Sequence, residues 1–251
     1  TAPVMAKGME DTAFYGFNRL AALNDVGFNP RLFGISAQAF HLENRHRIEH
    51  WPHTLIATST HDSKRSEDVR ARIDVLSEIA HEWQHHLARW SRFNLNKKRL
   101  VGEQRVPSRN DEYLLYQTLV GTWPLDEPDP TAFDAYRERI QSYMLKAIRE
   151  AKTHTSWINP NEEYEAAMQH FVAALLDPSG RNPFLADFVP FQRRMARFGL
   201  LNGLSQTLLK FTVPGVPDVY QGNEVWCFSL ADPDNRRAVD FRLRQSLLDS
   251  I

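Results

Sequence analysis

Cysteine is almost missing from this chain: Cys227 is the only one in 251 residues. No internal disulfide framework can brace the fold, and a reducing, cytoplasmic setting fits that usage. Long apolar runs are missing too. No stretch approaches the about 18 residues a membrane helix needs, and the first residues lack the basic-then-apolar order of a signal peptide. A soluble protein with no membrane partner is expected. Neither sign of charge is in excess, since 30 basic residues face 31 acidic ones for a net charge of −1. No long single-sign block occurs, which argues against nucleic acid as a partner. Internal repeats and low-complexity segments are absent as well. What is present is apolar content of 42%, enough for a substantial core in one large domain or two smaller ones.

Apolar spacing makes the chain mainly helical. Gly27, Asn29-Pro30 and Gly34 mark turns in the first fifty residues, and Ser36 can cap a helix through about His50. Thr54 to Thr58 is short, apolar and β-branched, and reads as a strand buried on both faces. From Ser66 to about Arg92 the residues Val69, Ile73, Leu76, Ile79, Trp83, Leu87 and Trp90 form one amphipathic stripe. A polar loop with Lys97-Lys98-Arg99 and Pro107 follows. Further helices are expected over 111–123, capped by Asn110 or Asp111, over 131–152, over 160–176 after Asn159-Pro160, and from Asn182-Pro183 to about Lys210. The last is expected to break near Pro190 or Gly199. Extended character returns at Pro214 to Gly222. Only two core strands are evident, and two cannot close a barrel.

The run Ser59-Thr60-His61-Asp62-Ser63-Lys64-Arg65-Ser66-Glu67-Asp68 places His61 and Asp62 at the C-terminal end of the first strand, where α/β folds bind ligands. Taken alone, the run is more simply a set of helix caps, with Glu67 and Asp68 favoured at the positive helix terminus. Lys64 and Arg65 do not suit that terminus, because cations there oppose the dipole.

His81-Glu82-Trp83-Gln84-His85 matches the His-Glu-x-x-His pattern of zinc hydrolases. At about 100° per residue, however, both histidines lie opposite the stripe of Ile79, Trp83 and Trp90, and no downstream Gly-x-x-His supplies a third ligand. No metal is expected there. His46 and His50 read as an exposed polar helix face, and most aromatics as core.

Three motifs carry a resemblance over nearly the whole length: Ala6-Lys7-Gly8-Met9-Glu10-Asp11-Thr12-Ala13-Phe14-Tyr15, then Ser59 to Arg72, then Asp232-Pro233-Asp234-Asn235-Arg236-Arg237. In order, they resemble the C-terminal portion of maltooligosyltrehalose synthases, members of the α-amylase family. That likeness implies the last part of a (β/α)8 TIM barrel. Residues 1–64 would hold strand seven and its catalytic loop, 65–210 a large helical insertion, and 211–251 strand eight and the final helix. It also implies an intramolecular transglucosylation on a maltooligosaccharide, turning the reducing-end α-1,4 linkage into an α,α-1,1 linkage without a cofactor.

By the same likeness Asp62 is a catalytic carboxylate assisting a nucleophile and an acid/base that lie upstream of Thr1. His61, Lys7, Lys64 and Arg65 would bind sugar. Tyr220, Gln221 and Glu224 could be barrel-closing residues, and Cys227 stands where the family pattern has an acidic residue. The chain is therefore expected to be incomplete by itself, its partner being the N-terminal barrel half of the same polypeptide. The alternative from another class is a helical interaction module without chemistry.

Overall fold

The computed structural model describes residues 2–251. A π-helical segment, Val4–Ala13, runs into a short helix α1 (Phe14–Gly16), and α2 (Ala37–His50) precedes strand β1 (Leu55–Ile56). The centre of the chain holds α3 (Glu67–Glu78), α4 (Ala80–Phe93), a hairpin of β2 (Arg99–Val101) and β3 (Gln104–Val106), α5 (Arg109–Thr122), α6 (Pro130–Ala151), α7 (Glu162–Leu175) and α8 (Pro183–Thr212). Strand β4 (Val216–Pro217) and helix α9 (Phe241–Asp249) follow. Among the described residues no helix is long and apolar enough to cross a membrane.

Local chemistry accounts for most helix starts. Ser36, Asp129 and Asn161 each accept the amide N–H three residues on, and Asn182 accepts those of both Phe184 and Leu185. Pro130 and Pro183 occupy first-turn positions, where a missing N–H costs nothing. The cap of α5 is Ser108, whose hydroxyl accepts the Asp111 N–H at 3.2 Å, rather than Asn110 or Asp111.

Four expectations from periodicity need correction. The helix expected over 66–92 is two helices, because Ile79 leaves helical geometry at φ −122° and ψ 35°. In the turn before that break the Ser77 hydroxyl donates to the carbonyl of Asp74 at 2.7 Å, a local bond that competes with the backbone ladder. Second, α8 does not break at Pro190 or Gly199; the proline removes one donor, and packing on both sides carries the helix through it. Third, the polar loop after Lys98 is an antiparallel hairpin with Val101 opposite Gln104. Gly102 at φ 58° takes the first position of its two-residue turn, as a type II′ turn requires.

The fourth correction concerns the strand at 55–56. It pairs in parallel with β4, Leu55 opposite Val216 and Ile56 opposite Pro217, but it is not covered on both faces: Leu55 is 70% exposed. Close approach of the two strands depends on Gly215, at φ 132°, where a Cβ would stand 2.6 Å from Ile56 Cγ1 and 2.9 Å from the Thr54 carbonyl oxygen.

The core is helical and aromatic. Trp90 is 0% exposed, ringed by Tyr116, Phe184, Phe188 and Phe191 at centroid distances of 5.4–5.5 Å. Its indole N–H donates to Asp187 at 2.6 Å, giving the one polar atom of the ring a partner. Helix α3 lies at the middle of the molecule, packed on α8 and α5. Its Arg72 is fully buried, with the guanidinium stacked 3.7 Å over the Phe228 ring and one N–H donated to the Trp123 carbonyl at 2.6 Å. Burial pulls that guanidinium down to about 10.

Gly199 and Gly203 bring the α3 and α8 backbones together. A Cβ on Gly199 would lie 2.4 Å from Arg72 Cγ and 2.7 Å from Arg72 Cα, and one on Gly203 would lie 2.9 Å from Asp68 Oδ1. Gly199→Ala should therefore destabilise the fold by about 1–3 kcal/mol through overpacking, although alanine is the better helix former. Denaturant midpoints check this, and an unchanged or raised midpoint would refute the close contact.

Asp68 generates a second test. Burial, followed by the neighbouring Glu67 charge, pushes its carboxyl up to about 6, against the opposing hydrogen bond from the Cys227 N–H. The folded chain thus keeps a proton that the unfolded chain releases near the ordinary 3.8. Stability from this group is full below about pH 4 and is lost as pH rises through 6. Asp68→Asn should remove that component, so its Tm relative to wild type climbs by roughly 2–8 °C between pH 4 and 7. A constant offset across that range would contradict the assignment.

Candidate active site

Strand β1 leads directly into the most polar part of the interior. At its end the Thr58 carbonyl accepts Arg70, the Thr58 hydroxyl meets Glu67, and the Lys210 ammonium reaches Thr58 Oγ1 at 3.0 Å and Glu67 Oε1 at 3.3 Å. Asp25, from the N-terminal loop, pairs with Arg70 at 2.7 Å and is itself buried. Every residue from Ser63 to Ile73 is buried. Thr60, His61 and Asp62, immediately before them, are exposed.

That short exposed turn is organised by its own hydroxyls. Ser63 N–H donates to the Thr60 carbonyl at 3.2 Å, Thr60 N–H to Ser63 Oγ at 2.9 Å, and Asp62 N–H to Thr60 Oγ1 at 3.2 Å. The side chains of His61 and Asp62 face outward, 74% and 70% exposed, with His61 Nε2 3.3 Å from Asp62 Oδ2. Neither caps α3. The cap position belongs to Ser66, whose hydroxyl donates to the Cys227 carbonyl, while the Glu67 N–H is taken by Ser59 Oγ at 2.9 Å. Capping therefore does not account for Asp62.

The other three candidates divide. Lys7 is exposed and Lys64 mostly buried, yet both ammonium groups hold one carboxylate: Lys7 Nζ lies 2.6 Å from Asp11 Oδ2 and Lys64 Nζ 2.7 Å from Asp11 Oδ1. Burial pushes the Asp11 carboxyl up, but the hydrogen bonds from Lys64 and Lys7 outweigh it and leave it below its ordinary range. The Asp11 hydrogen bond and charge raise Lys7, and the Asp62 charge adds to that. Arg65 points inward at 1% exposure, donating to Tyr143 Oη at 2.8 Å and to the Asn24 carbonyl at 3.4 Å. Its guanidinium ties the loop to α6 and faces protein groups.

The 218–237 loops form the opposite wall. Glu224 Oε2 accepts the Gly222 N–H at 3.1 Å and Arg244 Nε at 2.7 Å; burial raises this carboxyl but the Arg244 hydrogen bond leads the groups that bring it below its usual value. Cys227 contributes its backbone, donating N–H to Asp68 and accepting Ser66, and its thiol lies 3.1 Å from Ser229 Oγ. Between the walls is a polar cleft of about 20 Å³ lined by Ser59, Ser63, Tyr220, Asn223 and Asn235. Larger cavities, about 410 Å³ around Trp123 and about 580 Å³ beside Arg139, lie elsewhere. The site thus offers one exposed carboxylate paired with an imidazole on a fixed turn, with a cation pair nearby.

Sequence reasoning missed Asp11 and Asp25 as partners. The i,i+4 spacing of Lys7 and Asp11 was a usable signal; nothing local links Asp25 to Arg70. In α4, Trp83 and Trp90 are buried while His81 and His85 are exposed, and no group of three metal-ligating side chains occurs among the described residues.

No protein-family model matches the chain. Proteins from two strains of Mycobacterium tuberculosis, each described as "Putative maltooligosyl trehalose synthase", are 39% identical over 248 residues, which is 99% of this chain and 30% of each relative. Among solved structures, a glycosyltrehalose synthase is 43% identical with a TM-score of 0.85, over 99% of this chain and 31% of that one. The maltooligosyltrehalose synthase from Arthrobacter ramosus is 39% identical with a TM-score of 0.85, over 98% of this chain and 30% of that one. The chain spans about 30% of the length of the curated relatives it matches. In sequence and in fold, it is a homologue of the C-terminal part of maltooligosyl trehalose synthases.

Proposed function

We propose that this chain supplies one wall of the active site in a longer transglucosylase, which converts the reducing-end α-1,4 linkage of a maltooligosaccharide into an α,α-1,1 linkage. The observation that carries this reading is the exposed His61–Asp62 pair on a turn set between buried Ser59 and Ser63, whose hydroxyls are both hydrogen-bonded. Strands β1 and β4 serve as barrel strands seven and eight, with residues 1–64 and 211–251 as barrel segments and 65–210 as a helical insertion. The uncovered apolar side chains of Leu55 and Val216 on that strand pair are what a barrel edge awaiting its neighbours presents.

Retaining chemistry needs a nucleophile and an acid/base carboxyl about 5–5.5 Å apart around an oxocarbenium-like transition state. In this reading both come from outside the chain, and the isolated chain is inactive. Asp62 contributes hydrogen bonds to sugar hydroxyls that tighten as the ring flattens, which stabilises the transition state more than the bound substrate. His61 shares those contacts through the ring edge that its Nε2 contact with Asp62 leaves open. The glucose released from the α-1,4 linkage must turn without escaping and without water entering, or hydrolysis replaces transfer. Lys7, exposed at the open rim with its ammonium paired to Asp11, is the cation placed to hold it. Lys64 and Arg65 hold the turn from below, Lys64 through Asp11 and Arg65 through Tyr143.

The test is loss of reducing ends from maltopentaose, with free glucose followed in parallel, by the longer polypeptide and its Asp62→Asn variant. Reducing ends should disappear with little glucose released, and the variant should be slower by about 10²–10³-fold. Unchanged maltopentaose with the wild-type polypeptide would sink the proposal, and a variant as fast as wild type would remove Asp62 from it.

A further inference from the structure

Asp62 is exposed, yet the peptide that carries it is held from both sides. Its N–H donates to Thr60 Oγ1 at 3.2 Å, and the carbonyl at the other end of the same peptide, that of His61, accepts Asn235 Nδ2 at 2.7 Å. Because a carbonyl can only accept, this bond fixes which way the Asn235 amide is turned. With the 61–62 peptide plane anchored at both its oxygen and its nitrogen, few backbone directions remain for the Asp62 side chain.

Asn235 is itself anchored to the helical part of the chain. It sits in the single turn Asp234–Arg236, where Asp234 accepts the Leu230 N–H at 2.7 Å and Arg139 Nε at 2.8 Å. Arg139 also donates to the Phe228 carbonyl, and Lys146, further along the same helix, to the Asp232 carbonyl. Helix α6 therefore grips the 228–235 loop at three points, and the loop reaches across to His61 through one amide.

We infer that Asn235 is a positioning residue for Asp62, through which α6 sets the direction of the carboxylate. The inference rests on the catalytic role proposed for Asp62. Misplacement of a reacting group by about 1 Å can cost on the order of 10²-fold in rate, so a single well-placed bond to the neighbouring carbonyl has room to act. Binding of the rest of the oligosaccharide does not depend on that direction. The effect belongs in kcat rather than in KM.

Two variants of the longer polypeptide test this. Asn235→Ala removes the donor, and Asn235→Asp keeps the shape while facing an oxygen toward the His61 carbonyl. Both should lose about 10-fold or more in kcat on maltopentaose, with KM within about twofold and Tm close to wild type. In an Asp62→Asn background the same changes should have little further effect, because residues acting as a unit are non-additive. Amide exchange at Asp62 and Ser63 should accelerate in both variants, a readout independent of activity. Losses that add fully to Asp62→Asn, or equal changes in kcat and KM, would overturn the assignment. Wild-type polypeptide inert toward maltopentaose would count against the catalytic reading instead; in that case unchanged amide exchange would overturn the tether, and faster exchange would support it.

Discussion

The guanidinium of Arg70 is the tie on which the arrangement depends. One terminal nitrogen, Nη1, donates to Asp25 at 2.7 Å and to the Arg65 carbonyl at 2.6 Å, and the other, Nη2, donates to the Thr58 carbonyl. A single side chain thus joins the end of β1, the N-terminal loop and the first turn of α3. Both members of the ion pair are almost completely buried, so removing either would strand a charge in the interior, at a cost of about 3–5 kcal/mol. The planar fork of arginine satisfies several acceptors in fixed directions, which a lysine ammonium would not do. The buried Glu67–Lys210 pair adds α8 to the same junction.

Those constraints explain the abrupt change of environment along residues 58–73. From Ser63 onward the chain runs through the centre of the molecule, with α8 and α5 packed on α3. Before Ser63 it turns at the surface. A short turn between a strand and a buried helix cannot move far, because both ends are held by bonds to separate parts of the fold. Its side chains can be exposed while its backbone is fixed, the combination that recognition of a polar ligand calls for.

Legibility in the sequence followed the range of the interaction. Helix caps act over two or three residues, so Ser36 and the Asn182-Pro183 start were readable from the order of residue types, whereas the start read at Asn159-Pro160 lies two residues further on, capped by Asn161. The turn at His61 and Asp62 was readable for the same reason, although β1 ends at Ile56, five residues before His61, and not at Thr58. The break at Ile79 was not, because the apolar stripe continues through it unchanged, and only the packing of Trp83 and Trp90 against α8 requires the change of direction. Gly199 read as a helix breaker and is a contact surface; distinguishing these needs the partner, Arg72, which is 127 positions earlier in the chain. Leu55 read as covered because its apolarity is real, yet it is 70% exposed, which no local pattern announces.

The pairings that define the site lie beyond local reach altogether. Lys64 meets Asp11 across 53 positions and Asn235 meets His61 across 174. Resemblance brought the three motifs into one region without saying how they touch, and contact geometry supplies what was missing. Motif one offers Asp11 to the lysine of motif two, and motif three offers Asn235 to its backbone. The middle motif is thus held by a charge on one side and by a directional amide on the other. Charge alone would fix the distance of the turn from the N-terminal helix but leave its peptide planes free to rotate. The amide removes that freedom, which is why a turn so close to solvent can hold a carboxylate in one direction.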